Sequence, residues 1–142
     1  MILTKSELIQ GAVDLLETTN FSKPLSETIE LLNEVFDGKA SYRVQTKLAY
    51  DERTGLARVS SYDCGFLFDR YETDDVSLVL FTLLYEAVST YAYDLVCQKQ
   101  QLLQRPWDRI VVAEKLAKQI GQALPEPYGS YFEQGKKPSG LG

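Results

Sequence analysis

Four carboxylates, Asp69, Glu72, Asp74 and Asp75, fall within a seven-residue stretch. Hard divalent cations take oxygen ligands, so Mg²⁺ or Ca²⁺ is the first chemistry such a cluster suggests. The spacing is not that of a calcium-binding helix–loop–helix, and no strand carries the E-x-K pattern of a metal-dependent nuclease. A negatively charged cap at the start of a helix is the simpler account. Cys64, in Asp63-Cys64-Gly65, has the look of a nucleophile on a turn, but the chain contains no histidine. That absence removes the commonest general base near neutral pH, the usual activator of a serine or cysteine nucleophile, and a standard zinc ligand. The nine glycines are scattered, and neither G-x-x-x-x-G-K nor G-x-G-x-x-G occurs. The sequence therefore predicts no catalytic residues, no metal, no cofactor and no enzymatic activity.

Recognition is what remains, and the charge distribution bears on it. The net charge is −5. Residues 1–38 carry seven acids and two bases, 39–62 five bases and two acids, and 63–75 five acids and one base. An acidic molecule disfavours nucleic acid and anionic membranes and favours a basic partner. The basic stripe of Arg43, Lys47, Arg53 and Arg58 reads as the solvated face of a hairpin. Nine tyrosines are available as interface anchors, although most are expected as half-buried rings at the rim of the core.

The elements that position these residues follow from periodicity. Thr4-x-x-Glu7 is a capping box opening a helix with Leu8, Ile9, Ala12, Val13, Leu15 and Leu16 on one face. A second helix begins near Ser22 or Pro24, with Leu25, Ile29, Leu32 and Phe36 inward, and stops at Gly38. Tyr42, Val44, Thr46, Leu48 and Tyr50 alternate with polar or small residues as a half-buried strand. Asp51–Gly55 is a hairpin loop, Leu56–Tyr62 the returning strand and Phe66–Tyr71 a third. Thr73, Asp74 and Asp75 cap a long apolar helix running toward Leu103. Pro106 interrupts the chain, and a last helix runs from Trp107 to Ala123 with Ile110, Val111, Ala113, Leu116, Ala117 and Ile120 on its apolar side. The expected architecture is α+β: two N-terminal helices, a three-stranded antiparallel meander, a long central helix and a further C-terminal helix. One domain is expected over 1–132, with a disordered tail over 133–142.

The apolar run from Val76 to Cys97 is long enough for a membrane span, but Glu86, Asp94 and four hydroxyl residues interrupt it, so a buried core helix is expected. The start, Met1-Ile2-Leu3-Thr4-Lys5-Ser6-Glu7, lacks a basic region followed by an apolar run. Two cysteines suggest no disulfide framework. A cytoplasmic location with free thiols is the expectation.

Phe66-Leu67-Phe68-Asp69-Arg70-Tyr71-Glu72-Thr73-Asp74-Asp75 leads directly into the tyrosine-bearing long helix. Arg105-Pro106-Trp107-Asp108-Arg109 then leads into the last helix, which finishes at Pro125-Glu126-Pro127-Tyr128. This arrangement, over roughly Phe66 to Phe132, resembles the immunity proteins of bacterial polymorphic toxin systems, in particular the family numbered sixty-three. The resemblance implies a cytosolic protein that neutralises a cognate toxin domain, often a nuclease, by one-to-one binding. A basic toxin domain is then the expected partner, with a monomeric inhibitor. The expected contact surface is Asp69, Tyr71, Glu72, Asp74 and Asp75. The other reading of the same features is a different protein-interaction module: an adaptor, a chaperone or a phage-encoded inhibitor of a host enzyme.

Overall fold

A computed structural model describes residues 2–36, 46–63, 66–98 and 106–138. Five helices and three strands follow in the order α1 (Lys5–Leu16), α2 (Leu25–Phe36), β1 (Thr46–Tyr50), β2 (Ala57–Asp63), β3 (Phe66–Thr73), α3 (Val76–Gln98), α4 (Pro106–Gly121) and α5 (Tyr128–Glu133). The fold is α+β in the expected order. The segment between the long and last helices, 99–105, and the first part of the expected first strand, 41–45, lie outside the described residues. So do Cys64 and the last four residues of the expected tail.

Helix α1 starts where its capping box dictates. The Thr4 backbone N–H donates to Glu7 Oε1 at 3.0 Å, and the Glu7 N–H donates to Thr4 Oγ1 at 3.2 Å. These bonds satisfy donors that a helix start otherwise leaves open. Its buried face is Leu8, Ile9, Ala12, Val13 and Leu16. Helix α2 is turned relative to expectation. Thr28, Leu31, Leu32, Val35 and Phe36 face inward, while Leu25 and Ile29 are exposed. The i, i+3, i+4, i+7 set from Thr28 buries Leu31 and Val35, which the alternative face would have left in water. Thr28 tolerates burial because its hydroxyl donates to the Pro24 carbonyl at 3.1 Å.

The sheet has the order β1-β2-β3, antiparallel throughout. In the hairpin the Gly55 N–H donates to the Asp51 carbonyl at 2.8 Å, with Gly55 at φ 75°. The left-handed backbone is the reason for glycine there. A register shift between Ser61 and Tyr62 bends the β2–β3 pair. Thr46 and Leu48 of β1 are buried. Helix α2 packs on β1, with the Phe36 and Tyr50 rings edge-on at 6.3 Å.

Helix α3 runs through the centre, packed by α1, α2 and α4. By length and composition it is the one described helix apolar enough to cross a membrane, but 61% of that stretch is buried inside the fold. Phe81 is wholly buried and meets Tyr131 at 5.1 Å and Phe132 at 5.4 Å. Those two rings belong to α5, an element the sequence reading passed over between Pro127 and the polar tail. A helix of six residues has too little periodicity to stand out; it forms because Tyr128 and Phe132, one turn apart, both enter the core. Glu133, where a disordered tail was expected to begin, closes α5. Beyond it the Lys136 N–H donates back to the Tyr131 carbonyl at 2.9 Å.

Candidate functional site

Strand β3 and the start of α3 bring Glu72, Asp74 and Asp75 to one corner, while Tyr71 points from the other face of the strand toward α3. Glu72 lies opposite Arg58 in the β2–β3 register, and its carboxylate accepts from Arg58 Nη2 at 2.8 Å and Nε at 3.0 Å. Both side chains remain about half exposed. Asp75 caps α3: its Oδ1 accepts the Ser77 N–H at 2.9 Å, while its own N–H donates to Thr73 Oγ1 at 3.0 Å. Asp74, between them, is exposed and has no hydrogen bond or ion pair among the described residues. Tyr71 is half-buried, its hydroxyl 3.5 Å from Thr82 Oγ1 on α3. The backbone of Asp69 pairs with Ser61; its side chain lies outside the described residues.

The corner therefore divides into one carboxylate that serves the fold, one that is ion-paired on the surface, and one that is free. Exposed Val76 sits beside them at the first turn of α3, and Leu67 is exposed on β3, one of the two edge strands of the described sheet. Edge strands and adjacent charge are features other proteins can dock on. Among the described residues no three carboxylates or thiols gather as a metal-ligand set.

The basic stripe is mostly engaged. Lys47 Nζ lies 4.9 Å from the centre of the Tyr62 ring, Arg53 is 3.6 Å from Asp51, and Arg58 holds Glu72. Arg43 lies outside the described residues. Three of the four cations thus have local partners, which agrees with the solvated-hairpin reading.

Several tyrosines sit at the edge of the core, and two of them are tied there at the hydroxyl. Tyr50 donates to the Leu3 carbonyl at 2.6 Å, and the Tyr91 hydroxyl lies 2.6 Å from Ser22 Oγ. Tyr85 is desolvated, which pushes its phenol above the usual value, with Glu86 and Glu114 adding to the effect. Tyr93, by contrast, is 41% exposed.

Tyr93 borders a feature the sequence reading did not anticipate: a groove of about 940 Å³ between α3, α4 and the residues after α5. Buried Ala113, Ala117 and Phe132 line its inner side, and half-exposed Ile110 and Val111 its outer lip. Lys115, Lys118, Lys136 and Lys137 also line it. Glu86 of α3 is part of its wall yet only 8% exposed. The Thr46 hydroxyl on β1 donates a hydrogen bond to Glu86 Oε1. Burial pushes the Glu86 carboxyl up to about 7, against the lowering effect of that bond. With both partners buried, the pair joins α3 to the sheet rather than presenting a hydroxyl to a substrate.

Signals for this groove did exist. Glu86 is a carboxylate inside an otherwise apolar helical run, and Lys115 and Lys118 stand one turn apart on α4. What the sequence does not encode locally is how far the α3 and α4 surfaces diverge. Compared with known proteins, the chain matches no protein-family model, no curated protein and no solved structure.

Proposed function

We propose that this chain acts by holding another protein, as an immunity-type inhibitor that binds a basic toxin domain one to one in the cytoplasm. The observation that carries the reading is the corner at the β3–α3 junction. An edge strand ends there at Thr73, between exposed Glu72 and Asp74 and beside exposed Val76. Such a surface attracts a cationic partner electrostatically and offers backbone and apolar contact once it arrives. The likeness to immunity proteins supplies the biological form, and a toxin that cleaves nucleic acid would bring a basic cleft. The absence of histidine and of any phosphate-binding loop agrees with recognition in place of catalysis.

Co-expression with the toxin domain encoded beside this chain tests the proposal. Cells carrying both survive, and the two proteins co-purify as a one-to-one complex. Killing that is indifferent to this chain overturns it. Co-purification instead with a protein that is neither a toxin nor a genomic neighbour would favour an adaptor or chaperone.

A further inference from the structure

We propose that the groove between α3 and α4 is a binding site for a small amphipathic anion, a compact apolar body bearing one carboxylate head. This site is separate from the acidic corner and does not depend on the protein-binding reading. From Asp75 to Tyr85, the first groove residue on α3, is about 15 Å along the helix at 1.5 Å per residue.

Size comes first. The groove volume, about 940 Å³, lies in the range of small-molecule sites, roughly 300–1,000 Å³. Its run along α4 from Ile110 to Lys118 is about 12 Å at helical rise. That suits a ligand of modest length.

Chemistry decides the rest. The inner surface of Ala113, Ala117 and Phe132, with Ile110 and Val111 at the lip, favours an apolar body. Four exposed lysines line the same groove in a chain whose net charge is −5. None of the four is ion-paired with a described residue, although Lys136 Nζ lies 5.7 Å from the centre of the Tyr131 ring. Of the acids that line it, Asp94 is 3.5 Å from Lys23 and so already countered. Glu114 is left against four ammonium groups, together with Glu86, which is mostly uncharged below pH 7. A carboxylate head is therefore attracted where the molecule as a whole repels anions. A cation of the same shape is not.

Decanoate, below its micelle-forming concentration, is the probe. Calorimetry on the full chain is expected to show saturable one-to-one binding, with methyl NMR shifts concentrated at Ile110, Val111, Ala113 and Ala117. Decyltrimethylammonium, with the same chain and opposite charge, and acetate, the head without the body, should bind at least tenfold more weakly. Replacing Lys115, Lys118, Lys136 and Lys137 together by Gln should weaken decanoate about tenfold. These positions are exposed, so the variant retains the fold, as circular dichroism will verify. Val111→Glu, at the exposed lip, should also weaken it. Equal binding of the ammonium analogue, unchanged affinity after the lysine replacements, shifts confined to another surface, or no saturation at millimolar decanoate would each overturn the proposal. Protection against a toxin in the lysine variant is expected to be unchanged, so the two readings fail separately.

Discussion

The Thr46 hydroxyl at the first residue of β1 donates to the carboxyl of Glu86 at the middle of α3, and this bond ties the sheet to the central helix. Both groups are buried. Burial raises the Glu86 carboxyl from an ordinary value of 4.5 to about 7. The folded chain thus binds this proton more tightly than the unfolded chain does. Between about pH 4.5 and 7 the native state carries more protons, so stability falls as pH rises across that window. The contribution is complete below the unfolded value and lost above the folded one. Its full size is on the order of 3 kcal/mol. Urea unfolding at pH 5 and pH 8 should show the native chain weaker at pH 8. Glu86→Gln, which keeps an acceptor for Thr46 but cannot ionise, should flatten that dependence and be the more stable of the two at pH 8. An unchanged slope in the variant would assign the pH dependence to other groups.

Two helical glycines should respond to alanine with opposite sign. Alanine is favoured over glycine within a helix by about 1 kcal/mol. At Gly11 in α1 the added methyl would lie 3.5 Å from Leu80 Cδ2, an ordinary contact, so Gly11→Ala should stabilise by a few tenths to about 1 kcal/mol. At Gly121, the last residue of α4, the methyl would overlap the ring of Phe132. That ring is packed 5.4 Å from Phe81 and 6.0 Å from Tyr85, centre to centre, and has little room to retreat. Overpacking of this kind costs about 1–3 kcal/mol or more and outweighs the helical gain. Thermal unfolding of the two variants should move in opposite directions.

Much of this architecture was legible because local signals and tertiary demands agreed. The capping box at Thr4 and Glu7, the alternation through Leu48 and the glycine at position 55 each specify backbone geometry without help from distant residues. Helix α2 shows the limit. Two faces compete on it, one containing Leu25 and Ile29 and the other Leu31 and Val35, and only packing against α1, α3 and β1 selects between them. The candidate site divides the same way. Clustered acids at the β3–α3 junction are visible as sequence, but that Asp75 is a cap and Glu72 an ion-pair partner is fixed by geometry. The groove was legible only in fragments, Glu86 within an apolar run and the Lys115–Lys118 pair, since residues from α3, α4 and the stretch after α5 meet there only through the fold.

The Arg58–Glu72 pair should matter little to stability. The two side chains are 56% and 48% exposed, and exposed ion pairs contribute roughly 0–1 kcal/mol. A double-mutant cycle with Arg58→Ala and Glu72→Ala should give a coupling energy below about 1 kcal/mol, smaller still in high salt. A larger value that persists in salt would show that the pair is effectively desolvated. Because the folding cost is small, Glu72 can exchange its arginine for a cation on a partner.

Asp74 and Asp75 are adjacent carboxylates with different duties, and replacing each in turn separates fold from recognition. Asp75 accepts the Ser77 N–H, so Asp75→Ala should cost about 1 kcal/mol, the usual value of an N-cap. Asp75→Asn keeps an acceptor and should recover most of it. Asp74 makes no such bond, and Asp74→Ala should leave the unfolding midpoint nearly unchanged. If the corner meets a basic partner, Asp74→Lys should slow association and weaken its salt dependence, since charge at an interface rim acts mainly on encounter and salt screens that attraction. Surface plasmon resonance against the partner at low and moderate ionic strength reads both quantities. An association rate indifferent to Asp74→Lys would move the contact surface away from the β3–α3 corner, whatever the complex proves to be.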